Sequence, residues 1–476
     1  MTNTPTTTVD AIVVGAGLAG LLTAYRLQQK GKSVLVLEGR DRLGGRMYGK
    51  EVGPEKAYVD LGGQWLGPTQ FLMLDLIKEL GIEKFDYMSG VTRLTYKEKQ
   101  TDYKGDMYFA MMPPGKAGED PAGVATTEEI ADAKQAGNRI MEIVAGFKDG
   151  ELPFTHPDAE VLDSQTMTSW LEANTTTDFA KFFFTVTCST LGPLGPSHPS
   201  TVSVLHFAYL FKNSPQSEVP ENFLIHGGAG QIPPKLADKI GRDKVLVNQD
   251  VVKVKYDSDK QEVFALTRQG QVFSGRSIVM ACPPAVASAV LFDPPLSAQR
   301  HQLMQRFPMG TIAKILVAYD QKYWYDDKNI VMCIDTSPEQ YVEFTGDASD
   351  PTKKTGIIAA FIQGQKYFAW KKLSQEKQLE VVLDDLVRMY KIPELKSPIA
   401  VEIGDWPKDQ FAGGGYSGSV GPGVWTQYGE GLLNNEWDGR VRFCGTEYSM
   451  KWAGFFEGAA QTAEETAKRI VEKLDG

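Results

Sequence analysis

The chain has 476 residues, 42% of them apolar and 23% charged, with a formal net charge of −10. That length exceeds one ordinary core and predicts two or three domains, and the composition excludes a disordered or fibrous chain. The acidic balance argues against a nucleic-acid groove, and no apolar run reaches the roughly 20 residues that cross a bilayer.

Cys188, Cys282, Cys333 and Cys444 lie far apart, so neither a zinc cluster nor a disulfide framework is indicated. Dispersed thiols fit a reducing compartment. The polar start MTNTPTTTVD runs directly into an apolar strand without a secretory signal, and a cytoplasmic enzyme is expected.

Ala11 to Val14 form a short apolar run bounded by glycine, as a buried parallel strand does. Gly15, Gly17 and Gly20 follow at G-x-G-x-x-G spacing. Leu18, Leu21, Leu22 and Tyr25 then mark the apolar face of a helix ending near Gly31. SVLVLE is a second strand, closed by Glu38 18 residues after the third glycine. This order predicts a dinucleotide site. Gly15 permits the tight turn, Gly17 lets backbone approach a pyrophosphate, and Gly20 lets helix and strand pack closely. The helix N-terminus offers N–H groups to the phosphates, and Glu38 would accept from the ribose hydroxyls. GRDRLGGR continues from there. Gly44, Gly45 and Arg46 let a second loop close over the pyrophosphate with Arg46 as a fixed cation. Arg40 and Arg42 read equally well as cofactor-side cations or as a solvated basic turn.

The glycine–arginine stretch is similar to the extension found in FAD-containing oxidases and desaturases. With DLGGQWLGPTQ at 60–70, the chain resembles the flavin monoamine oxidase family. Matching blocks follow in order: GGAGQIP at 227–233, QRFPMGTIAK at 305–314, the segment from Trp406 through FAGGGYS, and FCGTEYSMKWAGFFEGAAQTAEETA at 443–467. The resemblance implies an α/β, Rossmann-like FAD-binding domain of the GR2 type, drawn from 1–85, 225–300 and 400–476. A discontinuous α+β substrate-binding domain would come from 86–224 and 301–399. Residues 104–130 read as an irregular loop before a helix, 192–200 as a proline-broken connection, and 127–147 and 201–212 as helices walling the substrate cavity.

Each block also has a reading of its own. Gly62 and Gly63 let main chain pass close to a flat ring, with Gln64, Trp65 and Leu66 along its edge. KVLVNQDVVKVKY at 244–256 reads as one strand, and by resemblance Val251 touches the adenine side of FAD; a plain core role for Val251 reads equally well. In GTIAKILVAYD, Ile312, Lys314 and Leu316 share one strand face, opposite Ala313, Ile315 and Val317. A lysine in that setting is a snorkelling edge residue or a buried functional amine. By resemblance it holds a water at flavin N5. A helix beginning near Phe455 would point its N-terminus at the flavin pyrimidine ring, with Phe456 N–H as donor. Glu447 would meet the ribityl hydroxyls. The chain stopping at Gly476, without the hydrophobic tail of membrane-bound relatives, favours a soluble enzyme.

By resemblance, Tyr416 and Phe455 flank the substrate at right angles to the flavin, with Trp406 near the ring. Many relatives have tyrosine at both cage positions, so Phe455 makes this cage more apolar. The implied reaction takes a hydride from the amine α-carbon to flavin N5. The imine is hydrolysed to an aldehyde or ketone, and O2 reoxidises the flavin to give hydrogen peroxide. A glycine at 415, where covalent relatives carry cysteine, implies noncovalent FAD. Gln70 stands where amino acid oxidases place a carboxylate-binding arginine, which favours an amine without a carboxylate. Glu221 is a candidate partner for a distal ammonium, or an exposed loop acid. Alternatives are an amine dehydrogenase using another acceptor, an L-amino acid oxidase, and a silent flavin-binding scaffold. A small-molecule amine and O2 are the partners expected, with no metal, nucleic acid or membrane; a homodimer is compatible.

Overall fold

The computed structural model describes residues 8–86, 90–103, 123–190, 196–213, 221–325, 329–335 and 337–476. Residues 104–122 of the loop expected at 104–130, and 192–195 of the connection expected at 192–200, lie outside them. Two sheets organise the described chain.

The first sheet orders its strands as Leu291–Asp293, Val251–Asp257, Glu262–Thr267, Val272–Met280, Val9–Val14, Val34–Leu37 and Val245–Leu246, and Val441–Phe443 also pairs with Val272–Met280. Its centre is parallel. Ala11 to Val14 run beside Val34 to Leu37 on one side and Ser277 to Met280 on the other. Val9–Val14 is buried on both faces from Ala11 onward, which explains its unbroken apolar run. Helix Leu18–Gln29 covers one face with Ile232–Ile240 and Phe456–Asp475, where Leu21, Leu22, Leu236, Ala460, Ala463 and Ile470 pack into one cluster. Val254, Val263, Phe273 and Phe292 close the other face.

The second sheet runs Ala400–Asp405, Ile312–Tyr319, Gly356–Gln363, Phe344–Asp347, Ile330–Asp335, Val91–Tyr96 and Lys99–Tyr103. Strand Ile312–Tyr319 is wholly buried and obeys the expected alternation. Ala313, Ile315 and Val317 pack with Val382, Leu386 and Met389 of helix Gln375–Tyr390. Ile312 and Leu316 face Leu61, Phe361 and Trp406. Helices Thr127–Ala145, Met167–Asn174, Asp178–Thr190 and Val204–Asn213 build a third layer around Ile140, Phe183, Phe207 and Trp425. Thr127–Ala145 opens with a capping box: Thr126 Oγ1 accepts from Glu129 N–H, and the Glu129 carboxylate accepts from Thr126 N–H.

Strand Ala400–Asp405 pairs with Ile312–Tyr319 at the edge of the second sheet. One expectation needs correction. The strand expected across 244–256 is broken: Val245–Leu246 and Val251–Asp257 are separate, with Asn248 at φ 58° between them. The break has a physical reason. Asn248 N–H donates to Arg40 O and Gln249 N–H to Glu38 O, so the interruption braces the turn that carries Glu38.

Candidate active site

The carboxyl ends of the central strands open into a cavity of about 430 Å³, continuous from Gly15, Glu38 and Val251 to Lys314, Tyr416 and Phe455. Such a position, outside the strand ends where connections diverge, is where open α/β sheets bind ligands.

At the near end, Gly15 takes φ 108°, and a Cβ there would lie 2.6 Å from Ala281 O. Gly20 does not line the cavity. It lies beneath it, where a Cβ would come within 2.0 Å of Gly15 O, as close helix–strand packing requires. Glu38 is buried, accepting from Ala16 N–H at 2.7 Å and Arg40 N–H at 3.0 Å. Arg40 lines the cavity but gives its guanidinium to Asp409 at 2.8 and 2.9 Å and to Glu38 at 3.2 Å. Arg42 also reaches Asp409. Both arginines therefore tie the first loop to the 406–412 segment, and neither is a plain solvated turn. Gly17 bridges Gly44, and Gly45 stacks against it: a Cβ on Gly45 would sit 3.3 Å from Gly17 Cα.

Arg46 and Glu447 form an ion pair at the cavity wall. Arg46 Nη1 donates to Tyr416 O at 2.7 Å, and both its terminal nitrogens bind the Glu447 carboxylate. The cation lines the cavity already neutralised. Glu447 lies one layer behind, its side chain fully buried and absent from the lining, with Ser417 Oγ donating to it. Glu447 thus holds Arg46 in place at the cavity wall. Burial raises the Glu447 carboxyl, but the Arg46 charge and these hydrogen bonds outweigh it and hold the group below its usual range.

At the far end, Lys314 is 2% exposed. Its Nζ donates to Gly62 O at 2.8 Å and to Gln64 Oε1, with the Trp65 and Phe361 rings 5.2 and 5.7 Å away. Burial pushes the amine well below the usual lysine range, against the opposing pull of the Asp60 and Glu221 charges. Gly62 and Gly63 are packed against the protein itself: a Cβ on Gly62 would meet Arg46 O at 1.9 Å, and one on Gly63 the Phe456 ring at 2.6 Å. Gln64 and Trp65 line the cavity, whereas Leu66 turns into the core and exchanges backbone hydrogen bonds with Phe223.

Tyr416 stands edge-on to Phe361, centroids 6.2 Å apart, and donates its hydroxyl to Gln363 Oε1 at 3.1 Å. Phe455 lines the same space and packs edge-on against Trp452. Trp406 donates Nε1–H to Leu61 O and forms the floor beside Gly415. Gly414 takes φ 144°, with a Cβ position 2.2 Å from Gly310 O, whereas Gly415 needs space instead, its Cβ falling 3.3 Å from Ile312. Phe456 begins the last helix without a side-chain cap, leaving its N-terminal N–H groups toward the cavity. Phe344, Phe361 and Gln363 carry no sequence signal: Phe344 pairs with Phe361. Lys314 pairs directly with Phe361, and Ile312 with Gln363, so only the strand register could have found them.

The cavity fits a flavin dinucleotide. Its near end is a backbone cradle that a single Cβ at Gly15 would obstruct. At its far end Gln64 Nε2 is buried without a hydrogen-bond partner among the described residues. A dinucleotide cradle leading into an aromatic pocket with a buried lysine defines an oxidoreductase built around a redox dinucleotide.

The comparisons with known proteins agree. The sequence profile of the flavin containing amine oxidoreductases matches residues 18–471. An L-amino acid dehydrogenase of Synechocystis is 37% identical over 99% of this chain and 96% of its own. Human flavin-containing amine oxidase B is 30% identical over 98% of this chain and 86% of its own. The structure of cyclohexylamine oxidase from Brevibacterium oxydans superposes with a TM-score of 0.87 at 28% identity, covering 98% of this chain and 100% of that one. The chain belongs to the flavin-containing amine oxidoreductase family, and its cofactor is FAD. No described helix is long and apolar enough to cross a membrane, and no described His, Cys, Asp and Glu group could hold a metal.

Proposed function

We propose that the protein is an FAD-dependent oxidase of amines that lack a carboxylate. The continuity of the cavity, from the glycine cradle to Lys314 and Tyr416, carries this reading. The first sheet is read as the cofactor-binding part, and the second sheet with its helical layer as the substrate part. FAD bound in this cavity would supply the acceptor for a hydride equivalent from the amine α-carbon, with O2 as the final oxidant and hydrogen peroxide as the product.

The chain's own groups bind, orient and exclude water. Glu38 takes the ribose hydroxyls, and the backbone of Gly15, Gly17 and Gly45 admits the pyrophosphate between the first helix and the Arg46 loop. Val251 borders the adenine side, Trp406 and Gly63 border the ring, and the Phe456 N–H supplies positive potential where the reduced ring gathers negative charge. Tyr416 and Phe455 hold the amine between them, and the apolar wall of Phe344 and Phe361 favours its neutral form. Lys314 holds a water at the ring edge; that water serves proton movement or addition to the imine. Gly415 offers no sulfur, so FAD is held noncovalently.

The far end also speaks to substrate class. Arg46 is satisfied by Glu447 and Arg40 by Asp409, and none of the segments outside the described residues contains an arginine. Gln70 is buried at the start of helix Phe71–Glu79. Glu221 lines the cavity, its charge reaching Lys314 and Tyr416. A carboxylate at the cavity wall repels a substrate carboxylate and favours a distal ammonium on the amine. The 37% identity to an L-amino acid dehydrogenase supports a second reading, oxidation of an amino acid with an acceptor other than O2.

Anaerobic mixing with aryl, alkyl, cyclic and polyamine substrates, and with L-amino acids, separates the two. Bleaching by amines and rapid recolouring in air support the oxidase; bleaching by amino acids alone, with no reaction in air, overturns it. Acid precipitation of the same protein should leave the yellow colour in the supernatant, and a yellow pellet would refute noncovalent attachment.

A further inference from the structure

Asp60 ends the strand Ala57–Asp60 and is buried, 8% exposed. Its two oxygens accept from Ala229 N–H at 2.8 Å and Gly230 N–H at 3.0 Å, so the carboxylate cannot swing away. Two residues on, Gly62 O accepts from Lys314 Nζ, and two further on Gln64 Oε1 accepts from the same amine. Five consecutive residues thus fix a buried carboxylate and both acceptors of a buried amine. The charged groups acting on Lys314 are Asp60 and Glu221. Its other neighbours are the neutral Gln64 carboxamide and the Trp65 and Phe361 rings. A fixed carboxylate near a buried amine favours the ammonium form, because little solvent screens the pair.

We propose that Asp60 is a positioning residue for Lys314: the segment 60–64 holds carboxylate and amine as one unit that sets the proton occupancy of Lys314. The consequence for amine oxidation rests on the function proposed above; the pairing itself does not. On both groups the partner's charge opposes the effect of burial. Burial raises the Asp60 carboxyl, opposed by the Lys314 charge and the two N–H groups, and it lowers the Lys314 amine, opposed by Asp60 and Glu221.

The test is a pH titration of the FAD-loaded protein labelled with 13C at lysine Cε, followed by NMR. The Lys314 signal is the one lost in Lys314→Met. Its midpoint should lie well below that of the surface lysines. Asp60→Asn should lower it further by about one pH unit or more, and Gln64→Glu should raise it by a similar amount. The pH dependence of flavin reduction should move in the same directions, and that limb should vanish in Lys314→Met. A purely structural role for Asp60 predicts no such opposed shifts. An unmoved midpoint in either variant overturns the proposal. Midpoints that move as expected in a protein whose flavin no amine reduces sustain it while removing the proposed function.

Discussion

The two ends of the cavity are built on opposite plans. The near end is a local device: one strand–turn–helix, residues 9–29, supplies the cradle, and the next strand supplies Glu38. Its recognition groups are mostly backbone. The far end is assembled from remote chain: Gly62 to Trp65, Lys314, Phe361, Tyr416 and Phe455 come from five stretches, two of them strands of the second sheet and one the N-cap of the last helix. Its working groups are side chains. One end holds the cofactor by shape and the other selects chemistry, so damage to each should fail differently.

The largest effect is expected at the near end. Gly20→Ala puts a methyl 2.0 Å from Gly15 O and 3.0 Å from the Ala281 methyl, forcing helix and strand apart. The variant should lose about 1–3 kcal/mol of stability. It should also purify with less than about a tenth of the wild-type FAD per chain, read from visible absorbance, because the N–H groups facing the pyrophosphate move with the helix. Full FAD content would break the contrast, since the cradle would then tolerate side chains.

Lys314→Met should do the reverse. FAD content stays near wild type, while flavin reduction or reoxidation slows by about 100-fold in anaerobic stopped flow. Wild-type rates in both half-reactions would remove Lys314 from the chemistry and leave the far end a plain apolar pocket.

The smallest effect lies behind the far end. His206 is buried, accepts Trp425 Nε1–H on Nδ1 at 3.0 Å, and is pushed down to about 3 by burial. A base depressed on folding contributes fully above its unfolded pKa near 6.5, and that contribution drains away as pH falls toward 3. His206→Asn should flatten the decline of Tm between pH 6.5 and pH 4 by a few degrees, whatever its Tm at pH 7. An equally steep decline would show that the His206 layer is not what acid attacks.

Legibility in the sequence follows the same division. The cradle was readable because glycine spacing, helical periodicity and a strand-ending acid all act within 38 residues. Lys314 was readable because a cation in an apolar alternation is conspicuous. Phe361 and Gln363 were not, because only the pairing of Ile312–Tyr319 with Gly356–Gln363 brings them to the site. Asp60 read merely as the first letter of a motif; its work depends on a turn at 229–230 that no local pattern connects to it. Arg40, Arg46 and Glu447 are each engaged by an opposite charge of the protein, a pairing between distant segments that no local pattern shows.

The pairing of Val441–Phe443 with Val272–Met280, and the docking of helix Phe456–Asp475 on Leu18–Gln29, carry a consequence for biosynthesis. The ribosome delivers the phosphate cradle first and its opposite wall last. A nascent chain halted before residue 441 has the glycine turn but lacks the flanking strand and the helix end that would face the ring. Truncation before residue 441 is therefore expected to cost FAD retention although the glycine turn stays intact, and visible absorbance of the truncated protein checks it.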